Sequence, residues 1–148
     1  MYDDDEPDWT ALSDADLADI ALGPDVWLNV PALSELADRS PETARPVALE
    51  ALTRSDTLLA AMALRVLAES DLDEALRYMR RTVLVAPLSI LDAMVDVLAV
   101  EHPIDPGHDK NLLAELVKRL WPPAGSREYN LADLLFRQYP ELKPRPGI

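Results

Sequence analysis

Apolar residues along this chain recur at the spacing of one helix face. Leu72, Ala75, Leu76, Met79 and Val83 follow the i, i+3, i+4, i+7 rule of a single buried stripe, while Asp73, Arg77, Arg80 and Arg81 fall on the other side. In PLSILDAMVDVLAVEH the polar positions are the rare ones, and Ser89, Asp92 and Asp96 stand at i, i+3 and i+7, which predicts an interior helix with one thin wet stripe. DTLLAAMALRVLAE has only Arg65 in its middle and is predicted to be enclosed on most sides. Caps and prolines divide these segments. Ser13 with Asp16 opens SDADLADIAL, which Gly23 and Pro24 stop; Asp25 opens a second helix toward Asp38, in which Pro31 predicts a kink or break near Val30. Ser40 and Pro41 start PETARPVALEALTR, Ser55 starts DTLLAAMALRVLAE, Ser70 with Asp73 opens DLDEALRYMRRTVLVA, and Pro87 takes the favoured first helical position. Asp109 leads DKNLLAELVKRLW, and Ser126 leads REYNLADLLFRQY. Glu50 with Arg54, Asp73 with Arg77, Glu115 with Arg119 and Asp133 with Arg137 are acid-first pairs at i, i+4, the better orientation on an exposed helix face.

An internal period accompanies the helices. LSELADRSPE from Leu33, LRVLAESDLD from Leu64 and VDVLAVEHPI from Val95 align at a step of 31 residues, superposing Leu36, Leu67 and Leu98, and Ala37, Ala68 and Ala99. The step is that of two helices and two short turns, so the expected architecture is all-α, a right-handed stack of αα-hairpins, with an irregular helical bundle as the alternative. SPETARPVALEALTRSD, with Arg45 near its start and the pattern Ala48, Leu49, Ala51, Leu52, resembles the first helix of short bacterial HEAT-like repeats over residues 31–102. The step departs from the ~40–47 residues of HEAT and armadillo units. The resemblance implies a scaffold for binding proteins and no catalytic residue. In the same register Ser34, Arg65 and Asp96 form a ladder on successive second helices, where such solenoids present a concave binding face.

Composition narrows the picture. About half of the 148 residues are hydrophobic, enough for a real core, and the scarcity of aromatics and glycine favours helix on helix over sheet. The expected division is an acidic flexible arm at 1–12, a single helical-repeat domain at 13–139 and a proline-rich tail at 140–148. There is no Cys, so disulfides and thiolate metal sites are excluded, and the start lacks the basic and apolar regions of a secretory signal; a cytoplasmic location is expected. TVLVAPLSILDAMVDVLAV is interrupted by Pro87, Asp92 and Asp96, each costly in hydrocarbon, so no membrane-spanning segment is expected. A net charge of −13 argues against nucleic acid and against anionic membrane surfaces as partners.

That charge is unevenly placed: residues 1–38 hold eleven Asp and Glu and no Lys or Arg. Acids needed only for solubility would be dispersed, because like charges gathered together repel. The collected charge predicts a field that steers a basic partner protein onto the first hairpin through Asp3, Asp4, Asp5, Glu6, Asp8, Asp14, Asp16 and Asp19, with Trp9 or Trp27 supplying apolar contact. Trp27 and Trp121 belong to the packing unless their position is exposed. Arg77, Arg80 and Arg81 make the one basic cluster, a solvated helix face or an internal dock for the acidic arm. Chemistry has little to stand on. His102 and His108 lie near Asp105 and Asp109, but His102 at a helix end is accounted for by the helix dipole, and no metal or cofactor is expected. Asp92 and Asp96 share a helix face and are the one pair an enzyme could use for acid–base work; otherwise Asp96 and Arg65 belong to the interaction ladder, and Arg65, Asp92 and Asp96 are candidate partner-binding residues. A small acidic helical protein of this kind resembles immunity proteins and other inhibitors that occlude the basic site of a toxin, and also adaptor, chaperone or structural subunits.

Overall fold

The computed structural model describes residues 7–144, and among them the chain is all-helical, with no strand. Eight α-helices follow one another: α1 (Asp14–Ala21), α2 (Val26–Arg39), α3 (Pro41–Ala51), α4 (Thr57–Ser70), α5 (Leu72–Thr82), α6 (Leu88–Val95), α7 (Lys110–Leu120) and α8 (Ser126–Gln138). The chain divides into two compact units at Asp71 and Leu72, inside the stretch that the sequence marks as one helical domain.

In the first unit α1 packs on α2 and α3, and α2 packs on α3 and α4. The starts are set by short polar side chains that satisfy the orphan amides of each first turn. Ser13 Oγ accepts from Asp16 N, Asp25 Oδ1 from Trp27 N, and Ser40 Oγ from Thr43 N. The fourth start differs from the sequence expectation by one residue, because Asp56 rather than Ser55 is the cap, its Oδ1 accepting from both Leu58 N and Leu59 N. The core is formed by Leu17, Leu33, Leu36, Leu59, Leu64 and Leu67, with Ala44, Ala48 and Ala51 of α3 fully buried, small residues that let neighbouring backbones approach.

Pro31 does not break α2, contrary to the kink expected near Val30. The carbonyl that loses its donor is that of Trp27, an exposed residue where water can replace the missing amide. The same holds in α3, where Pro46 deprives the carbonyl of exposed Glu42. The helix is also held from its side by Asn29, which is 3 % exposed and donates through Nδ2 to the carbonyls of Ile20 (2.8 Å) and Gly23 (3.1 Å). That bond welds the end of α1 to the start of α2.

In the second unit α6 and α7 both pack on α8. After Val95 the helix widens to a π-helical stretch, Asp96–Glu101, closed by His102 N donating to Val97 O at 2.7 Å. The expected wet stripe is present: Ser89, Asp92 and Asp96 are half-buried, between Ile90, Leu91, Ala93, Met94, Val95 and Val97, which are buried. On α5, Ala75, Leu76 and Met79 are buried, while Asp73, Arg77, Arg80 and Arg81 are exposed.

The end of α5 departs from the sequence reading, which carried the helix on to Ala86. It stops at Thr82, and Val83 to Ala86 form a loop that Pro87 bars from helical continuation. Arg119 of α7 holds this loop at two points, donating through Nη1 to Val83 O at 2.6 Å and through Nη2 to Ala86 O at 2.7 Å. Leu84 and Val85, between the two anchors, are exposed. Two charge-assisted bonds from one planar guanidinium are not reproduced by a lysine. Arg119→Ala is therefore expected to cost about 1.5 kcal/mol, and Arg119→Lys nearly as much, measured by urea unfolding.

The 31-residue step appears in the element boundaries. The residues at the N-cap positions of α2, α4 and α6 are Asp25, Asp56 and Pro87, each 31 positions after the last. Leu36, Leu67 and Leu98 are 1 %, 0 % and 0 % exposed.

Candidate acidic interface

The two units share the charge unequally. Residues 1–71 contain sixteen acids and four bases, a net charge of −12, whereas residues 72–148 contain eleven acids and ten bases, a net charge of −1. The anionic character of the protein is thus a property of its first unit.

Asp3, Asp4, Asp5 and Glu6 lie outside the described residues. Asp8 is exposed and caps a 3₁₀ turn, Trp9–Ala11, accepting from Thr10 N at 3.2 Å and Thr10 Oγ1 at 2.7 Å. This turn falls in the stretch expected to be a flexible arm, and it is tied to α2. Arg39 Nη2 donates to Trp9 O at 2.9 Å and, at 3.4 Å, to Thr10 O. Arg39 also pairs with Asp14 at 3.0 Å and Glu35 at 3.1 Å, and these carboxylates, the Asp14 hydrogen bond first, hold its guanidinium above the ordinary arginine pKa. The first basic residue of the chain therefore neutralises part of the acidic segment from within.

Asp16 and Asp19 project from α1 and are exposed. Trp9 is half-buried. Trp27 is not a packing residue: it is 85 % exposed. The contrast with Trp121 is direct, since Trp121 is half-buried, with its ring edge-on to Phe136 at a centroid distance of 5.6 Å. Burying a large apolar side chain is worth roughly 1.5–3 kcal/mol, a gain the fold forgoes at Trp27.

The other candidate binding residues divide between the units. Arg65 is half-buried on α4, in the first unit, and Asp92 and Asp96 are half-buried in the second. Asp92 accepts from Arg127 Nη2 of α8 at 3.1 Å, an ion pair that ties α6 to α8. The basic cluster is also engaged within its own unit, with Arg77 paired to Glu74 at 2.6 Å and Arg80 to Asp109, whose side chain is almost fully buried. Asp109 is at the same time the cap of α7, accepting from Leu112 N at 3.4 Å. Among the described residues no group of three His, Cys, Asp or Glu is gathered as a metal site, and no helix is long and apolar enough to cross a membrane.

Sequence reasoning missed two strongly exposed apolar side chains in the first unit, Val26 at 57 % and Leu58 at 68 %. A signal for Leu58 was present, because Asp25-Val26-Trp27 and Asp56-Thr57-Leu58 are related by the same 31-residue step. No family model, curated protein or solved structure matches this chain.

Proposed function

We propose that this protein is a non-catalytic binding module of the cytoplasm that engages a basic partner protein through its acidic N-terminal unit, in the manner of an immunity or inhibitor protein that covers the cationic site of a toxin. The observation that carries the reading is Trp27. A tryptophan displayed at 85 % exposure in a unit of net charge −12 combines the two ingredients of a steered interface, a long-range field and a large anchor that gains by burial. Carboxylates alone would give a solvated surface. An isolated tryptophan would give no preference for the sign of the partner. The proline-tolerant α2 and the Asn29 weld hold the anchor on a fixed element, which lowers the ordering cost on binding.

The test is capture from the native cell by cross-linking to the full chain, with the captured proteins identified by mass spectrometry and then purified for direct titration. A single dominant partner with a basic surface, bound at least tenfold more weakly by Trp27→Ala, is the expected result. A dominant partner that is acidic, or one indifferent to both Trp27 and the acids, would overturn the proposal.

A further inference from the structure

We infer that the first turns of α2 and α4 form one docking surface, whose occupant is an amphipathic helix of a partner protein with an apolar stripe flanked by Lys and Arg. The inference rests on the protein-binding reading above and adds where the partner sits and what it presents. The two turns are built alike. Asp25 Oδ1 accepts from Trp27 N at 3.1 Å, and Asp56 Oδ1 from Leu58 N at 3.0 Å, so each aspartate caps its helix and holds an exposed apolar residue two positions on. Val26 adds a third apolar side chain.

Their proximity follows from two observations. Helix α2 packs on α4, and Arg54 Nη1 of the loop before α4 donates to Leu22 O of the loop before α2 at 3.2 Å. The helix starts, and with them Trp27 and Leu58, therefore lie at the same end of the unit. Packed helix axes stand about 8–10 Å apart. A helix rises 1.5 Å per residue, so apolar side chains at i and i+7 of a partner helix span roughly 10 Å and can meet both anchors.

Charge decides the occupant. The capping aspartates each use Oδ1 for the backbone, and a carboxylate retains capacity to accept further bonds. Arg54 is the cation between the two loops, and it is already engaged by Glu50 at 3.5 Å and by Leu22 O. An apolar surface with this rim selects cations around an apolar stripe. A second copy docking through the same surface would bring two units of −12 together, and nucleic acid or an anionic membrane would meet the same repulsion.

The experiment uses the full chain and two labelled peptides of about 18 residues and equal composition: one an amphipathic helix with Leu on one face and Lys on the other, the second a scramble with no apolar face. The helical peptide is expected to bind at least tenfold more tightly at low salt. The double variant Trp27→Ala, Leu58→Ser is expected to lower it to the level of the scramble, with an unchanged melting curve because both side chains are exposed. Equal binding of the two peptides, or a preference that survives in the double variant, would overturn this surface. Equal binding that disappears when Asp16 and Asp19 become Asn would overturn the surface alone and leave the acidic reading standing. A mass that rises with concentration and falls in the double variant would make a second copy the occupant and overturn the assignment.

Discussion

Tyr139→Phe is expected to destabilise the second unit by about 2–3 kcal/mol, a large effect for the loss of one oxygen. The side chain is 1 % exposed, and its hydroxyl makes two bonds at once: it donates to Leu98 O at 2.6 Å and accepts from Ile104 N at 2.9 Å. One atom thus joins the end of α8 to the π-helical stretch and to the loop after it. Without the hydroxyl a carbonyl and an amide lose their partners together, and no water reaches the site as easily as it reaches an exposed turn. Urea unfolding should show a lower midpoint with an unchanged slope, the sign of lost stability without a change in compactness. Tyr129→Phe, at an exposed position, should leave the midpoint where it is.

The same burial gives a pH signature. Desolvation raises the Tyr139 pKa above the ordinary tyrosine value of about 10, the Ile104 amide opposing it in part. A raised folded pKa means that the contribution of Tyr139 is fully present below pH 10 and is lost as pH climbs through the folded value. Stability should therefore fall on the alkaline side, less steeply in Tyr139→Phe. A residual slope should persist, because burial raises Tyr78 in the same direction.

Much of the helical frame was legible because it depends on local chemistry. Ser13, Asp25, Ser40 and Asp109 cap the helices they introduce, since a cap needs only its own backbone and an amide two or three residues on. The exposure of Trp27 was not legible. The buried stripe of α2 runs Asn29, Ala32, Leu33, Leu36, and it begins with an amide that is satisfied only when the carbonyls of Ile20 and Gly23 are folded beside it. A pattern reader gives that place to a hydrophobe, and Trp27, two positions earlier, points to the other side of the helix. Arg119 fails for the same reason. Its spacing from Glu115 predicts an i, i+4 pair, whereas its partners are the carbonyls of Val83 and Ala86, 36 and 33 residues earlier. Long-range partners of polar side chains leave no periodic trace in a sequence.

The second large effect concerns rate. Replacing Asp3, Asp4, Asp5, Glu6 and Asp8 by Asn and Ser is expected to slow association with the proposed basic partner about tenfold at low salt and to leave dissociation nearly unchanged. Steering by a charged surface raises association rates by 10–10³-fold, and removing five of the sixteen acids of the first unit takes away a substantial part of its field. The field is screened within about 10 Å at 0.1 M salt, so the native chain and the variant should converge as ionic strength rises. Asp14 is a poor choice for the same experiment, because Arg39 already opposes its charge and the substitution would disturb the anchor of the Trp9 turn. Trp27→Ala should do the reverse: an anchor acts after encounter, so dissociation accelerates while the association rate and its salt dependence are kept. Stopped-flow traces across a salt series separate the two. Parallel salt slopes for the native chain and the five-residue variant would mean that these acids do not steer, and the anionic character of the first unit would then have to be explained by solvation alone.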